Sequence, residues 1–270
     1  MAEPTVDIID PDVEVKQVAI VHNAEIDAQI STAKQYPRSS ARFVEAARTI
    51  IQFDQETAAS CFYVLKRGGK QIEGPSVRLA EVILSSYQNL RVATEVLNDD
   101  GRFVYARAAV HDLENNVAFE CTTKRRITNR DGKTYNDDMI QTTGNAAASI
   151  ALRNAVLRAV PGVFVQKLYQ EARQFAIGGS EPLSVRRQKL VDTFSKLGVG
   201  PEQVCAFVER SSIDEVTPDD LADLIGVYTA IKDGMTTVDQ CFGTGASEEQ
   251  VPVAKSILNA LKLQEAQASE

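Results

Sequence analysis

Two histidines, four cysteines and no tryptophan occur in 270 residues, and aromatic residues make up only 6% of the chain. Cys61, Cys121, Cys205 and Cys241 are far apart in sequence and form no CxxC pair. With His22 and His111 as their only imidazole partners, the thiols do not read as a zinc site or a disulfide framework. They read as reduced, mostly buried cysteines. No apolar run approaches the ~20 residues that a bilayer span needs. The opening "MAEPTVDIIDPDVEV" is acidic and lacks the basic-then-apolar order of a secretory signal. A protein of the cytoplasm, without a membrane partner, is the expectation.

Catalytic patterns are missing too. His111 and Asp112 are sequence neighbours, which on a strand point to opposite faces, and Asp137, Asp138 and Glu114 have no second carboxylate at a recognisable catalytic spacing. No nucleophile elbow or metal-ligand cluster occurs, so neither catalytic residues nor a metal or cofactor are expected.

What the chain has is an uneven charge distribution. Its net charge is −8, yet residues 61–190 hold 19 Lys and Arg against 13 Asp and Glu. A basic centre lies between acidic ends, and a polyanion would bind in that centre.

Residues 66–70, "KRGGK", place Lys66, Arg67 and Lys70 around a glycine pair. A phosphate-binding P-loop needs a longer glycine-to-lysine spacing and a Ser or Thr after the lysine; here Gln71 follows. Nucleotide hydrolysis is therefore unsupported. The three cations suit a sugar–phosphate backbone, and a plain solvated hairpin accounts for them equally.

Periodicity sets the order of elements. "SSARFVEAARTIIQF" repeats apolar residues at helical spacing, and Gly74-Pro75-Ser76 opens a helix ending near Gln88. "LRVATEVL", "RFVYARAAVHD" and "VAFECTTKRRIT" have strand length and composition, separated by the turn sequences "NDDG" and "LENN". Connections this short require antiparallel neighbours, hence a meander. A long helix from about Met139 to Val160, rich in Gly, Ala and Ser, then stops at Pro161-Gly162. The predicted fold is α+β: a β-β-β-α core plus a small C-terminal helical module.

The boundaries expected are an acidic arm at 1–37, mobile but for one short helix carrying Val18, Val21, Ile26 and Ile30, then a core at 38–177. A linker at 178–185, a helical interaction module at 186–243 and an acidic tail at 244–270 follow.

Two further groups could meet nucleic acid. Lys124, Arg125, Arg126, Arg130 and Lys133 put five cations in ten residues at the end of the third strand. Alternation sets Lys124 and Arg126 on one face and Arg125 on the other. A charged edge strand guarded against aggregation is the alternative, but the cations continue past the strand end, which favours nucleic acid. On the long helix Gln141, Asn145, Ser149 and Arg153 recur every fourth residue, with Asn154 and Arg158 beside them, for phosphates or for packing. Phe103 and Tyr105, between Arg102 and Arg107, could stack bases, though strand aromatics at this spacing more often fill a core.

The helix, three-stranded meander and long helix resemble the order in single-strand annealing proteins of the Rad52, RecT and Red-beta type. "RGGKQIEGPSVRLAE", "DLENN" and "NDDMIQTTGNAAASIALRNAVLRAVP" are similar to stretches of a phage recombination family, over roughly residues 60–175. The region from Ser184 to Phe242 resembles the small helical domain that many phage recombination proteins carry for docking. The resemblance implies ATP-independent annealing of single-stranded DNA by a homo-oligomeric ring or filament in a bacterial host. A single-strand-binding protein or a phage exonuclease would be its partner. Lys124, Arg126, Arg153 and Arg158 match the groove cations best, then Lys66, Arg67 and Lys70. Once folded, these side chains are expected to converge into one trough. A non-annealing oligomeric interaction protein and an RNA-binding module are the alternatives.

Overall fold

The structure is a computed structural model that describes residues 11–67, 70–129, 131–178 and 181–243. In chain order the elements are α1 (Pro11–Gln35), α2 (Ser40–Ile51), α3 (Gln55–Ser60), β1 (Phe62–Arg67), β2 (Lys70–Pro75) and α4 (Val77–Tyr87). Then come β3 (Leu90–Asp99), β4 (Phe103–Asp112), β5 (Val117–Arg126) and α5 (Asp137–Ala159). α6 (Gly162–Ile177), α7 (Leu183–Ser195), α8 (Pro201–Phe207), α9 (Pro218–Lys232) and α10 (Val238–Phe242) complete it. The protein is thus mixed α+β, with a three-stranded and a two-stranded antiparallel sheet. No single helix among the described residues is long and apolar enough to cross a membrane.

The described chain forms two compact units, one from residues 11–49 and 80–166, the other from 50–79 and 167–243. In the first, β3, β4 and β5 form the expected meander, with β4 in the centre. Val104, Ala106, Ala108 and Val110 alternate along β4 and are buried on one face. α5 packs on that face through Gly144, Ala147, Ala151 and Ala155. Small side chains let the helix backbone come close: a methyl added at Gly144 would sit 3.2 Å from Val96 Cγ1. Asn136 caps α5, its side chain accepting from the Met139 amide at 2.9 Å, so the helix begins two residues before Met139. Beside the sheet, Phe43 meets Tyr87 and Phe164 edge to face, with centroids 4.9 and 5.5 Å apart.

A buried ionic cluster ties α1's end to this sheet. Arg38 donates through both terminal nitrogens to Asp112, at 2.8 and 2.6 Å, and through Nε to Glu114 at 2.9 Å. Its guanidinium lies 4.2 Å from the centre of the Tyr87 ring. Burial opposes charge on Asp112 and Glu114, but the hydrogen bonds from Arg38, Asn115 and Asn89 outweigh it and hold both carboxyls below their ordinary range. Removing Arg38 would leave two inward carboxylates without a cation.

Where a short helix on a mobile arm is expected, α1 runs for 25 residues from Pro11. Pro fits the first helical position because its missing amide has no partner there. The tracts 1–10 and 244–270 lie outside the described residues.

The second unit departs from the expected boundaries. β1 and β2 form a hairpin, Phe62 pairing Pro75 and Arg67 pairing Lys70. The hairpin belongs with the C-terminal helices: Val64 is buried among Leu190, Phe194, Leu221, Leu224 and Val227. α9 lies directly on β1, since a methyl on Gly226 would stand 2.6 Å from Val64 Cγ2 and 3.0 Å from the Val64 nitrogen. Arg173 of α6 reinforces the unit, bonding Glu73 at 2.6 Å and Asp223 at 2.8 Å. Gln71 Nε2 also donates to Asp223, and Thr229 Oγ1 to the Ala59 carbonyl. Residues 186–243 are therefore not a self-contained module behind a linker; their core includes a strand from more than a hundred residues earlier. Burial forces this, because Val64 and Leu224 need each other to leave water.

Candidate nucleic-acid interface

Strand alternation gives the three-stranded sheet a second face, opposite α5. Register places Arg126 beside Phe103, Lys124 beside Tyr105 and Thr122 beside Arg107, with Glu95 on the other side of Arg107. Arg107, His111, Glu120, Thr122, Lys124 and Arg126 are exposed on this face, and Phe103 and Tyr105 are half-buried. Among the described side chains, α1 reaches it where Arg91 donates to Gln29 at 3.2 Å and lies 3.4 Å from His22.

The cations on the face are not equivalent. Arg107 is held by Glu95 at 2.5 Å and contributes no free charge. Lys124 Nζ lies 5.1 Å from the Phe103 ring centre, and the Arg102 guanidinium carbon 5.7 Å from it. No carboxylate among the described residues forms an ion pair with Lys124, Arg126 or Arg102. Asp100 fixes the rim: it accepts from the Phe103 amide at 2.6 Å, the Arg102 amide at 2.9 Å and the Tyr105 hydroxyl at 2.9 Å. Those bonds lower the Asp100 carboxyl below its ordinary range and raise the Tyr105 phenol above its own. Tyr105 therefore stays neutral, its hydroxyl anchored to Asp100.

Among the described residues of the first unit, the expected cations do not line one trough. Lys124 and Arg126 share the open face with Phe103 and Tyr105. Arg125 points to the opposite side by alternation and is half-buried and engaged. Asn145 is exposed on α5 beyond the sheet, and Arg153 donates to its neighbour Asn154 at 3.1 and 3.2 Å. Arg158, exposed in the last turn of α5, lies 14 residues past Gly144, or about 21 Å of helix. Because α5 lies on the buried face, its polar stripe and the β5 cations sit on opposite sides of the layer. The fourfold spacing on α5 specifies a stripe but not its direction, and the sheet takes the alanine side.

The glycine-pair cations belong to the other compact unit. Lys66 Nζ donates to the Phe207 carbonyl and lies 4.3 Å from that ring's centre, so it closes a core rather than presenting charge. Lys70 is exposed at the start of β2. Gly68, Gly69, Arg130 and the Arg67 side chain lie outside the described residues. Lys133 is exposed in the short hairpin after β5, its amide bound by Asn129 Oδ1 at 2.8 Å. Arg102, which flanks the Phe103–Tyr105 pair in sequence, joins the cations at the rim. It lies in the turn just before β4, where strand alternation does not apply, and only its exposure and its distance to the Phe103 ring place it there.

The fold and face define an α+β protein with an open, aromatic and cationic antiparallel sheet. No family model, no characterised protein and no solved structure matches the chain.

Proposed function

We propose that this protein binds single-stranded nucleic acid across the open sheet face and anneals complementary DNA strands without ATP. One observation carries the reading: the cross-strand pairs Phe103–Arg126 and Tyr105–Lys124, with Arg102 at the rim, on a face that α5 leaves bare. Rings on a sheet offer stacking platforms, and adjacent cations take the phosphates, which is the physics of strand binding without sequence preference. The meander followed by a helix supports a likeness to annealing proteins of the Rad52, RecT and Red-beta type, acting in phage recombination within a bacterial cytoplasm. The C-terminal helices would dock a single-strand-binding protein or an exonuclease.

Fluorescence anisotropy with a labelled oligonucleotide over a range of salt tests the reading. Lys124→Glu with Arg126→Glu should weaken binding for every sequence and flatten the log–log salt slope by about 1.4, two phosphates at ~0.7 each. Phe103→Ala should weaken binding by about 1–3 kcal/mol while leaving that slope unchanged. Arg153→Glu with Arg158→Glu, on the far side of the layer, should do neither. Annealing of complementary oligonucleotides without ATP should fall in step with binding. Parental binding by the sheet-face variants would refute the assignment, and a clear preference for RNA competitor would move the function to RNA.

A further inference from the structure

Arg38, Arg107, Arg173 and Arg210 each rest on a carboxylate. Arg91, half-buried at the start of β3, rests instead on an amide and an imidazole: Nη1 donates to Gln29 Oε1 at 3.2 Å, and Nη2 lies 3.4 Å from His22 Nε2. His111, exposed on β4, is its cross-strand neighbour, so both histidines of the chain lie beside this one guanidinium. No carboxylate among the described residues, the exposed Glu25 of α1 included, forms an ion pair with Arg91.

The same arginine borders a cleft of about 520 Å³ between α1 and the start of β3, lined by Ala28, Gln29, Thr32, Leu90, Val92 and Leu113. Small-molecule sites span about 300–1,000 Å³, so the cleft is large enough for one ligand. Asn89 fixes its wall. With φ at 54° it turns the chain from α4 into β3, and its side-chain amide donates to the Tyr36 carbonyl at 2.9 Å and to Glu114 at 2.5 Å. Glu114 is itself held by Arg38. Little ordering is left for a ligand to impose.

Donors and acceptors are sorted along the cleft. Gln29 commits its carbonyl oxygen to Arg91, which leaves its amide N–H groups as donors next to the guanidinium. Thr32, about one turn further along α1, gives its own proton to the Ala28 carbonyl at 2.9 Å, so its hydroxyl oxygen is left to accept. Ala28, Leu90, Val92 and Leu113 supply apolar surface. A guanidinium flanked by further donors suits a phosphate, whose oxygens accept from several directions, better than a planar carboxylate. We propose that the α1–β3 cleft binds a nucleoside monophosphate group, with its phosphate on Arg91 and Gln29, a sugar hydroxyl on Thr32 and its base against Leu90, Val92 and Leu113. A free nucleotide and the phosphorylated end of a strand present this same chemistry. The site is separate from the cations of β5: His111 is six residues along β4 from Tyr105, the partner of Lys124, or about 20 Å of strand. It stands independently of what that end of the sheet binds.

Isothermal titration of the full chain with adenosine 5′-monophosphate (AMP) tests the proposal. One saturable site is expected, with adenosine alone and inorganic phosphate alone each weaker by about tenfold or more. Arg91→Met should weaken AMP binding by about tenfold or more, the loss expected when a charged hydrogen-bond donor is removed. Ala28→Phe, at an exposed position of α1, should do the same by filling the cleft while every charge stays in place; circular dichroism checks that both variants fold. Lys124→Glu with Arg126→Glu should bind AMP like the parent, which separates this site from the sheet-face reading. In that double variant, displacement of AMP by a 5′-phosphorylated pentanucleotide and not by its 5′-hydroxyl counterpart assigns the cleft to strand ends. Displacement by neither assigns it to free nucleotides. Equal displacement by both, no saturable AMP binding in the millimolar range, inorganic phosphate as tight as AMP, or AMP binding retained in Arg91→Met or Ala28→Phe would overturn the proposal.

Discussion

Gly226→Ala measures how closely the N-terminal hairpin and the C-terminal helices are packed. An alanine methyl at 226 would stand 2.6 Å from Val64 Cγ2, 3.0 Å from the Val64 nitrogen and 3.1 Å from its Cβ. The first atom could move by rotamer change, but the nitrogen belongs to the β1–β2 ladder, so helix and strand must separate. Overpacking of this kind costs about 1–3 kcal/mol. Against it stands the ~1 kcal/mol by which Ala exceeds Gly in a helix interior. Because backbone is the obstacle, the cost falls in the upper half of its range, and net destabilisation should be about 1–2 kcal/mol. Gly144→Ala is the internal control. Its methyl would meet Val96 Cγ1 at 3.2 Å, and Val96 is an exposed edge residue free to turn. That substitution should be neutral or stabilising by up to ~1 kcal/mol. Urea unfolding followed by circular dichroism gives both signs. Val64→Ala combined with Gly226→Ala should cost less than the two singles added, with a coupling of about 0.5–3 kcal/mol. If Gly226→Ala is as stable as the parent, or its effect simply adds to that of Val64→Ala, the close approach of α9 to β1 is refuted.

Arg173→Leu strands Glu73 and Asp223 and should destabilise the second unit by up to about 3–5 kcal/mol, less to the extent that the half-exposed Glu73 is screened by water; thermal melts check it. Asp112 and Glu114 have lowered folded-state pKa values, so their stabilisation is fully present above the unfolded carboxylate range near pH 4 and is lost as pH falls from there through their lower folded-state values. Arg38→Met should therefore destabilise at neutral pH and make the acid limb of stability shallower; an unchanged acid limb would show that the cluster contributes nothing. Burial pushes the Cys61 thiol up to about 12, so it should resist alkylation at pH 8 in the native protein and react only after unfolding, read by mass spectrometry of labelled peptides.

The sequence by itself determined the elements whose signals are local. Alternation and the "NDDG" and "LENN" turns specify the meander, because a side-chain period of two and short polar connections admit little else. The alanine-rich run and the Pro161-Gly162 stop specify α5 to within two residues. Thr217 and Pro218 begin α9 by a signal of the same local kind, a cap followed by a proline whose missing amide costs nothing. On β5, alternation also separated Arg125 from Lys124 and Arg126 correctly.

Tertiary structure decided which surfaces meet. The chain alone does not say that Val64 belongs with Leu224, since nothing local in "CFYVL" or "DLIGVYTA" names the other; only Gly226, an unfilled position in mid-helix, hints at a close neighbour. It does not say which side of α5 faces the sheet, so Arg153 and Arg158 could be grouped with Lys124 until packing put them across the layer. Lys66 reads as a free cation and becomes the cover of Phe207. Phe103 and Tyr105 read as core and line an open face. In each case the short-range pattern states how a residue is oriented on its own element, while its burial depends on apolar area supplied from elsewhere in the chain.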